Sequence, residues 1–436
     1  MSLPVLLFFS FVSTLALPIH GTFLLPIQKD HTTHHYITTV DTKTPLQPTN
    51  LLLDLEASFT WMDCLKNYNS TTYQHYYCGS QGFCSSLYAC TYYCQNITLP
   101  SPACDNNTCE FFLHNPLTHQ LGFGSALSDV LALPITNGST QGPLTILRNH
   151  TFSCSPVFQH DLFLRGLPKG VVGAAALGWF DLSLQGELTA AFSLPSCFAL
   201  CLSGARKGKG VGFIGSRGPY NFLPGIDISK SLPYTPIFKN PAWTRSSVLA
   251  NGQPSEYFVG LTSIKINDKA VPLNQSLLVI DASSGSGGTK LSTVVSYTSM
   301  QSSIYKDFTD AFAKEASAMN LTSLTKPVKP FRLCYDERGM ASTRVGPAVP
   351  TIDLVFQSKD VYWRIFGANS MVRVKSKGGF AWCLGFVDGG VKQQASIIIG
   401  GYQMEDNLLQ FDLQSKTLGF SSTLLFKQTT CANFNF

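Results

Sequence analysis

A chain of 436 residues is too long for one ordinary hydrophobic core and fits two lobes of roughly 200 residues each. Apolar residues make up 44% and charged residues 13%, which requires a large packed interior and excludes wholesale disorder. The net charge of +5 is mild, and the densest basic stretch, Arg206-Lys207-Gly208-Lys209, reads as a solvated loop, so no nucleic-acid partner is expected.

Residues 1–21 are apolar, end in small or turn residues and read as a secretory signal peptide; no later segment has the length of uninterrupted apolar sequence that crosses a membrane. Strands are expected at Tyr36 to Val40, Leu51 to Leu53, Val130 to Leu133, Val211 to Ile214, Ser263 to Ile266, Ser276 to Ile280, Ile352 to Phe356 and Ser396 to Ile399, where short apolar runs are punctuated by Gly, Pro, Asn and Ser. A short helix is expected at Gly186 to Ala191. A longer one spans Ser303 to Ala318, with Ile304, Phe308, Ala311, Phe312 and Ala316 on one face. Mostly strand in two lobes points to a bilobal β-barrel protein, divided at 22–202 and 203–436.

Secretion makes the 13 cysteines a disulfide framework. Cys64, Cys78, Cys84, Cys90, Cys94, Cys104 and Cys109 crowd a loop-rich stretch that bridges would hold in place of a core. Cys154, Cys197, Cys201, Cys334, Cys383 and Cys431 follow, and the odd count leaves one thiol over, expected at Cys197 or Cys201. Glycosylation sequons begin at Asn69, Asn96, Asn106, Asn137, Asn149, Asn274 and Asn320. The nine histidines show no metal-ligand spacing, and neither a nucleophile elbow nor a phosphate-binding loop is present, so no metal or cofactor is expected.

The two halves rhyme. Leu51-Leu52-Leu53-Asp54 is followed downstream by Gly170-Val171-Val172-Gly173-Ala174, and the turn at Gly287-Gly288-Thr289 by Ser396-Ile397-Ile398-Ile399-Gly400-Gly401. The segment from Leu51 to Cys64 resembles the first active-site segment of plant aspartic proteases: Asp54, Ser58, Trp61 and Cys64 match, while Leu55 stands for Thr and Glu56 for Gly. Aspartic proteolysis needs two carboxylates sharing one proton. The second could be Asp281, in an apolar-apolar-Asp-small-Ser run. The favoured register instead aligns Gly287-Gly288-Thr289-Lys290-Leu291-Ser292-Thr293 with the family pattern and puts Ser292 at the catalytic position. Glu56 is expected to deny Asp54 the tight turn and backbone N–H groups that glycine permits.

Nearly the whole mature chain resembles one plant family of protease-like proteins: extracellular dermal glycoproteins, xyloglucan-specific endoglucanase inhibitors, cereal xylanase inhibitors and basic 7S globulins. Phe198 to Ser203, Ser342 to Pro347, Val387 to Gly390, Glu405 to Leu408 and Thr429 to Phe436 carry the likeness. It implies a mostly β, bilobal pepsin-like double β-barrel, inactive as a protease, in the apoplast or cell wall. It also implies an unpaired Cys197 and bridges Cys334–Cys383 and Cys201–Cys431. The implied partner is a microbial cell-wall-degrading glycoside hydrolase, inhibited through two arginines. One maps onto Arg344 and the other onto Gln428, a departure from the pattern of that branch. The competing expectation is a non-inhibitory seed or wall glycoprotein.

Overall fold

The computed structural model describes residues 21–66, 68–79, 89–91, 102–157, 160–242, 254–357, 360–377 and 379–436, with only the backbone course given for 89–91. The leader, Cys84, Cys94, Asn96 and the Cys90 side chain therefore lie outside the described residues.

The chain is mostly strand. A continuous antiparallel backplane joins its two ends: Phe23–Ile27 pairs with Gly210–Ile214, which pairs with Phe198–Cys201, and Cys197–Cys201 pairs with Leu408–Asp412. Leu409–Asp412 then pairs with Thr417–Phe420, and Thr417–Gly419 with Tyr234–Pro236. The strand Cys197–Cys201 is buried at every position, as expected of a strand covered on both faces. The sheet runs on both sides of the expected lobe boundary at Leu202, since Gly210–Ile214 pairs with two strands that precede it.

Two parallel pairings set the centre of the molecule. Leu52–Asp54 pairs with Ala174–Ala176, and Thr289–Leu291 pairs with Ile397–Ile399. These are the two rhyming segments, each a buried strand beside a later apolar run. Gly287 and Gly288 lead into the second with φ of +99° and +73°. A Cβ on Gly287 would sit 2.2 Å from the carbonyl oxygen of Val279, so glycine is required there.

The long helix spans Ser302–Ala318 and buries Ile304, Phe308, Phe312 and Ala316 on one face, with Gln301 accepting from the Ser303 amide at its start. The shorter helix is Leu184–Ala191, capped by Ser183. The strand expected at 276–280 does not form. Residues Gln275–Leu278 make a 3-10 turn instead, because the Asn274 side chain accepts the Ser276 amide and closes the backbone locally. No helix among the described residues is long and apolar enough to cross a membrane.

Bridges join Cys64 to Cys154, Cys201 to Cys431 and Cys334 to Cys383, and Cys197 is a buried free thiol. Cys78, Cys104 and Cys109 are also disulfide-bonded. Among the sequons, Asn69, Asn106, Asn137, Asn149, Asn274 and Asn320 are all exposed.

Candidate functional site

The two rhyming strands deliver their ends to one place. Thr293, the residue after Ser292, donates its hydroxyl to the carbonyl of Leu53 at 2.6 Å and accepts the amide of Leu55 at 3.0 Å. Those residues flank Asp54, so the turns carrying Asp54 and Ser292 lie against each other. Asp281 is elsewhere. It closes an exposed turn on Ser283 and Ser284, and those hydrogen bonds hold its carboxyl down at about 2.

Asp54 is 3% exposed, and burial followed by the neighbouring Glu56 charge pushes its carboxyl up to about 7. Its Oδ1 accepts the amides of Glu56 at 2.9 Å and Ala57 at 3.2 Å, which act in the opposite direction. The expectation that Glu56 would deny Asp54 its backbone donors is therefore wrong. Glu56 lies outside the left-handed region, so its Cβ brings no backbone strain, and its side chain pairs with Lys290. Ser292 is fully buried; its amide donates to Ile399 and its hydroxyl accepts the Val295 amide at 3.4 Å.

Lys290, between the two turns, is the residue that sequence reasoning missed. Its ammonium meets Glu56 at 2.6 Å and Glu256 at 2.5 Å. Glu256 is brought there by the segment that crosses from the second half. Ser255 donates its hydroxyl to the Glu56 carbonyl, and Tyr257 donates its hydroxyl to Leu177. The available signal was a lysine flanked by Thr289 and Leu291, both fully buried: a charge inside a buried strand requires counter-charges. Above this group opens a cavity of about 330 Å³. Its lid is the hairpin of Thr108–His114 and Leu121–Thr136, whose tip is held by buried Asn115 donating to the carbonyls of Phe163 and Arg165. No cluster of metal-ligand residues occurs among the described residues.

The two surface positions, Arg344 and Gln428, are not among the residues that line this cavity. Arg344 sits at the tip of a hairpin formed by Ser342–Thr343 and Gly346–Pro347; it is exposed and makes no ion pair among the described residues. Thr343 locks the tip by accepting the Val345 amide and donating to the Gly346 carbonyl. The hairpin is braced from behind, where the Ala368 amide donates to the Val345 carbonyl at 2.7 Å. Two residues earlier, Phe366 meets Phe426 edge to face, with ring centroids 4.9 Å apart. Phe426 belongs to the 3-10 turn Leu424–Lys427, which Gln428 closes in the left-handed conformation at φ +57°. The segment from Phe366 to Ala368 thus touches both the Arg344 hairpin and the turn bearing Gln428, which is itself exposed.

Comparisons with known proteins fit this architecture. Sequence models described as xylanase inhibitor N-terminal and xylanase inhibitor C-terminal match residues 36–216 and 256–422. A relative from Nicotiana benthamiana called probable aspartic proteinase GIP2 is 47% identical, over 95% of this chain and 91% of its own. The crystal structure of edgp superposes with a TM-score of 0.89 at 45% identity, covering 95% of this chain and 98% of that one. Conglutin gamma, described as a unique basic 7S globulin from lupine seeds, gives 0.80 at 33%, covering 95% and 99%. The expected mostly β, pepsin-like fold is the fold of this protein.

Proposed function

Because the chain belongs to the plant xylanase-inhibitor family of aspartic-protease-like proteins, we propose that it is a secreted, proteolytically inactive member that inhibits a microbial cell-wall-degrading glycoside hydrolase. The target is of the xyloglucanase or xylanase class, and loop side chains enter its active-site cleft. The observation that carries this reading is Arg344: exposed, without an ion-pair partner among the described residues, and fixed at the tip of a braced hairpin. Glycoside hydrolases present two carboxylates in a cleft. A guanidinium placed between them forms charge-assisted, bidentate hydrogen bonds, worth on the order of 2 kcal/mol or more at a desolvated interface centre. The +5 net charge favours encounter with an acidic partner.

Proteolysis is excluded in this reading because Ser292 offers no second carboxylate to share a proton with Asp54. The exposed sequon asparagines and the bridged cysteines are consistent with a secretory route.

Gln428 favours a second reading. Where the inhibitory branch carries a second arginine, this chain presents a neutral amide, and Lys427 beside it lacks the planar fork. A non-inhibitory storage or wall glycoprotein, as the likeness to the lupine seed globulin suggests, would keep the scaffold and lose the contact. Titrating purified protein into a panel of xyloglucanases, xylanases and β-glucanases separates the two. Loss of rate with one of them supports inhibition; unchanged rates with all of them at micromolar protein support the globulin reading.

A further inference from the structure

The strand Gln141–Cys154 leaves an edge open. Over residues 142–149 its backbone pairs with Leu121–Thr136 alone among the described residues, while Gln141 at its start donates to the Asn435 carbonyl at 3.1 Å. Within this edge Leu144 and Ile146 are 50% and 43% exposed. Leu144-Thr145-Ile146-Leu147 is a run of uncharged, mostly strand-forming residues, the kind of segment that pairs with a second chain when its edge is free. Pro143 removes one donor at its near end and Arg148 adds one charge at its far end, but the run between them has neither safeguard.

A second observation is independent of that run. Asn149-His150-Thr151 is a glycosylation sequon, and the backbone turns its asparagine onto the exposed side. Strict alternation from Leu144 and Ile146 would expose Arg148 and turn Asn149 inward with the half-buried Thr145 and Leu147. A bulge intervenes. Asp129 pairs with His150 and Leu131 with Leu147, so Arg148 and Asn149 together face one residue of the partner strand, and both are exposed. At about 3.3 Å per residue, Ile146 lies about 10 Å from Asn149 and Leu144 about 17 Å, within the sweep of an oligosaccharide of several rings. Thr151 is 5% exposed; its hydroxyl meets the Tyr76 hydroxyl and its amide donates to Glu187. A transferase that must read the Thr151 hydroxyl can do so only before the strand packs.

We propose that Asn149 carries an N-linked glycan that covers the edge at 144–147 and keeps the protein from pairing through it with a second copy of itself. In the transfer, Asn149 Nδ2 bonds to the anomeric carbon of a lipid-diphosphate-linked oligosaccharide. The bond from that carbon to the diphosphate oxygen breaks, the lipid diphosphate leaves with the electron pair, and the amide loses one proton. The proposal rests on the secretory route in the reading above and not on inhibition of a hydrolase.

The test uses protein secreted from eukaryotic cells that attach high-mannose glycans. Glycopeptide mass spectrometry should find Asn149 occupied. In sedimentation velocity, Asn149→Gln should show a weight-average mass about twofold or more above that of the parent. Asn274→Gln, which removes a sequon elsewhere, should match the parent, and Asn149→Gln combined with Ile146→Lys should return to it. Trimming the folded parent with endoglycosidase H gives a second reading without a substitution at the sequon: the trimmed parent should associate and trimmed Ile146→Lys should not. An empty Asn149 while other sequons are filled overturns the proposal; sequons empty throughout overturn the secretory route with it. Unchanged mass in both Asn149→Gln and the trimmed parent also overturns it, as does association that persists with Ile146→Lys.

Discussion

The Thr293 hydroxyl reaches across the centre of the molecule to the Leu55 amide at 3.0 Å, 238 positions away in the chain. The same hydroxyl returns a hydrogen bond to the Leu53 carbonyl, so one side chain ties both halves together around Asp54.

Thr293→Val keeps the shape and removes both bonds, leaving a buried amide and a buried carbonyl unpaired. Each such group costs about 1–3 kcal/mol. The expected loss is about 2–4 kcal/mol, read from urea or thermal unfolding; a change within about 0.5 kcal/mol would show that the link is dispensable.

Lys290→Met should be among the most damaging single changes at neutral pH. It leaves Glu56 and Glu256 facing each other without a counter-charge, at a cost of about 3–5 kcal/mol. Urea or thermal unfolding of the variant beside the parent reads the loss, and a Lys290→Met protein as stable as the parent would contradict the electrostatic explanation.

Asp54 carries a stability signature with a definite sign. Its folded carboxyl is raised from 3.8 to about 7, so the folded state holds the proton more tightly than the unfolded chain. That contribution is fully present below pH 4 and is lost as pH rises through 7. Asp54→Asn should therefore stabilise the protein more at pH 8 than at pH 4, by about 1–4 kcal/mol. Asp406, which burial raises to about 6 and which accepts the Cys431 amide, acts in the same direction. The comparison is between variant and parent at each pH, because Asp227, Asp336 and Asp412, with lowered pKa values, pull the other way. An equal effect of Asp54→Asn at both pH values would remove the assignment.

The protein should show no pepstatin-sensitive peptide cleavage at acid pH. Cleavage that disappears in Asp54→Asn would mean that Asp54 works without Ser292 being a carboxylate, and the reading of the site as inactive would fall.

Local patterns in the sequence carried some of these features and not others. The helix Ser302–Ala318 is written in the spacing of Ile304, Phe308 and Phe312. The register at Gly287-Gly288-Thr289 is written in glycines that only positive φ explains. The stretch at 276–280 misled because its apolar residues suit a strand while Asn274, just before it, dictates a capped turn. Glu56 misled in another way: read against a pattern requiring glycine it looked disruptive, yet its amide still serves Asp54. Its side-chain partner, Lys290, lies 234 positions away. Pairings of that range, like Phe366 against Phe426 beside the Arg344 hairpin, depend on how the sheets pack and leave no short-range trace.

The most direct test of the central claim is the inhibition constant of the protein and of Arg344→Ala against a xyloglucanase or xylanase. Arg344→Ala alters an exposed side chain without internal partners among the described residues, so the fold should be untouched. The predicted result is inhibition by the parent protein, weakened about tenfold or more in the variant. Equal potency of the two proteins, or no inhibition by either, would contradict the account.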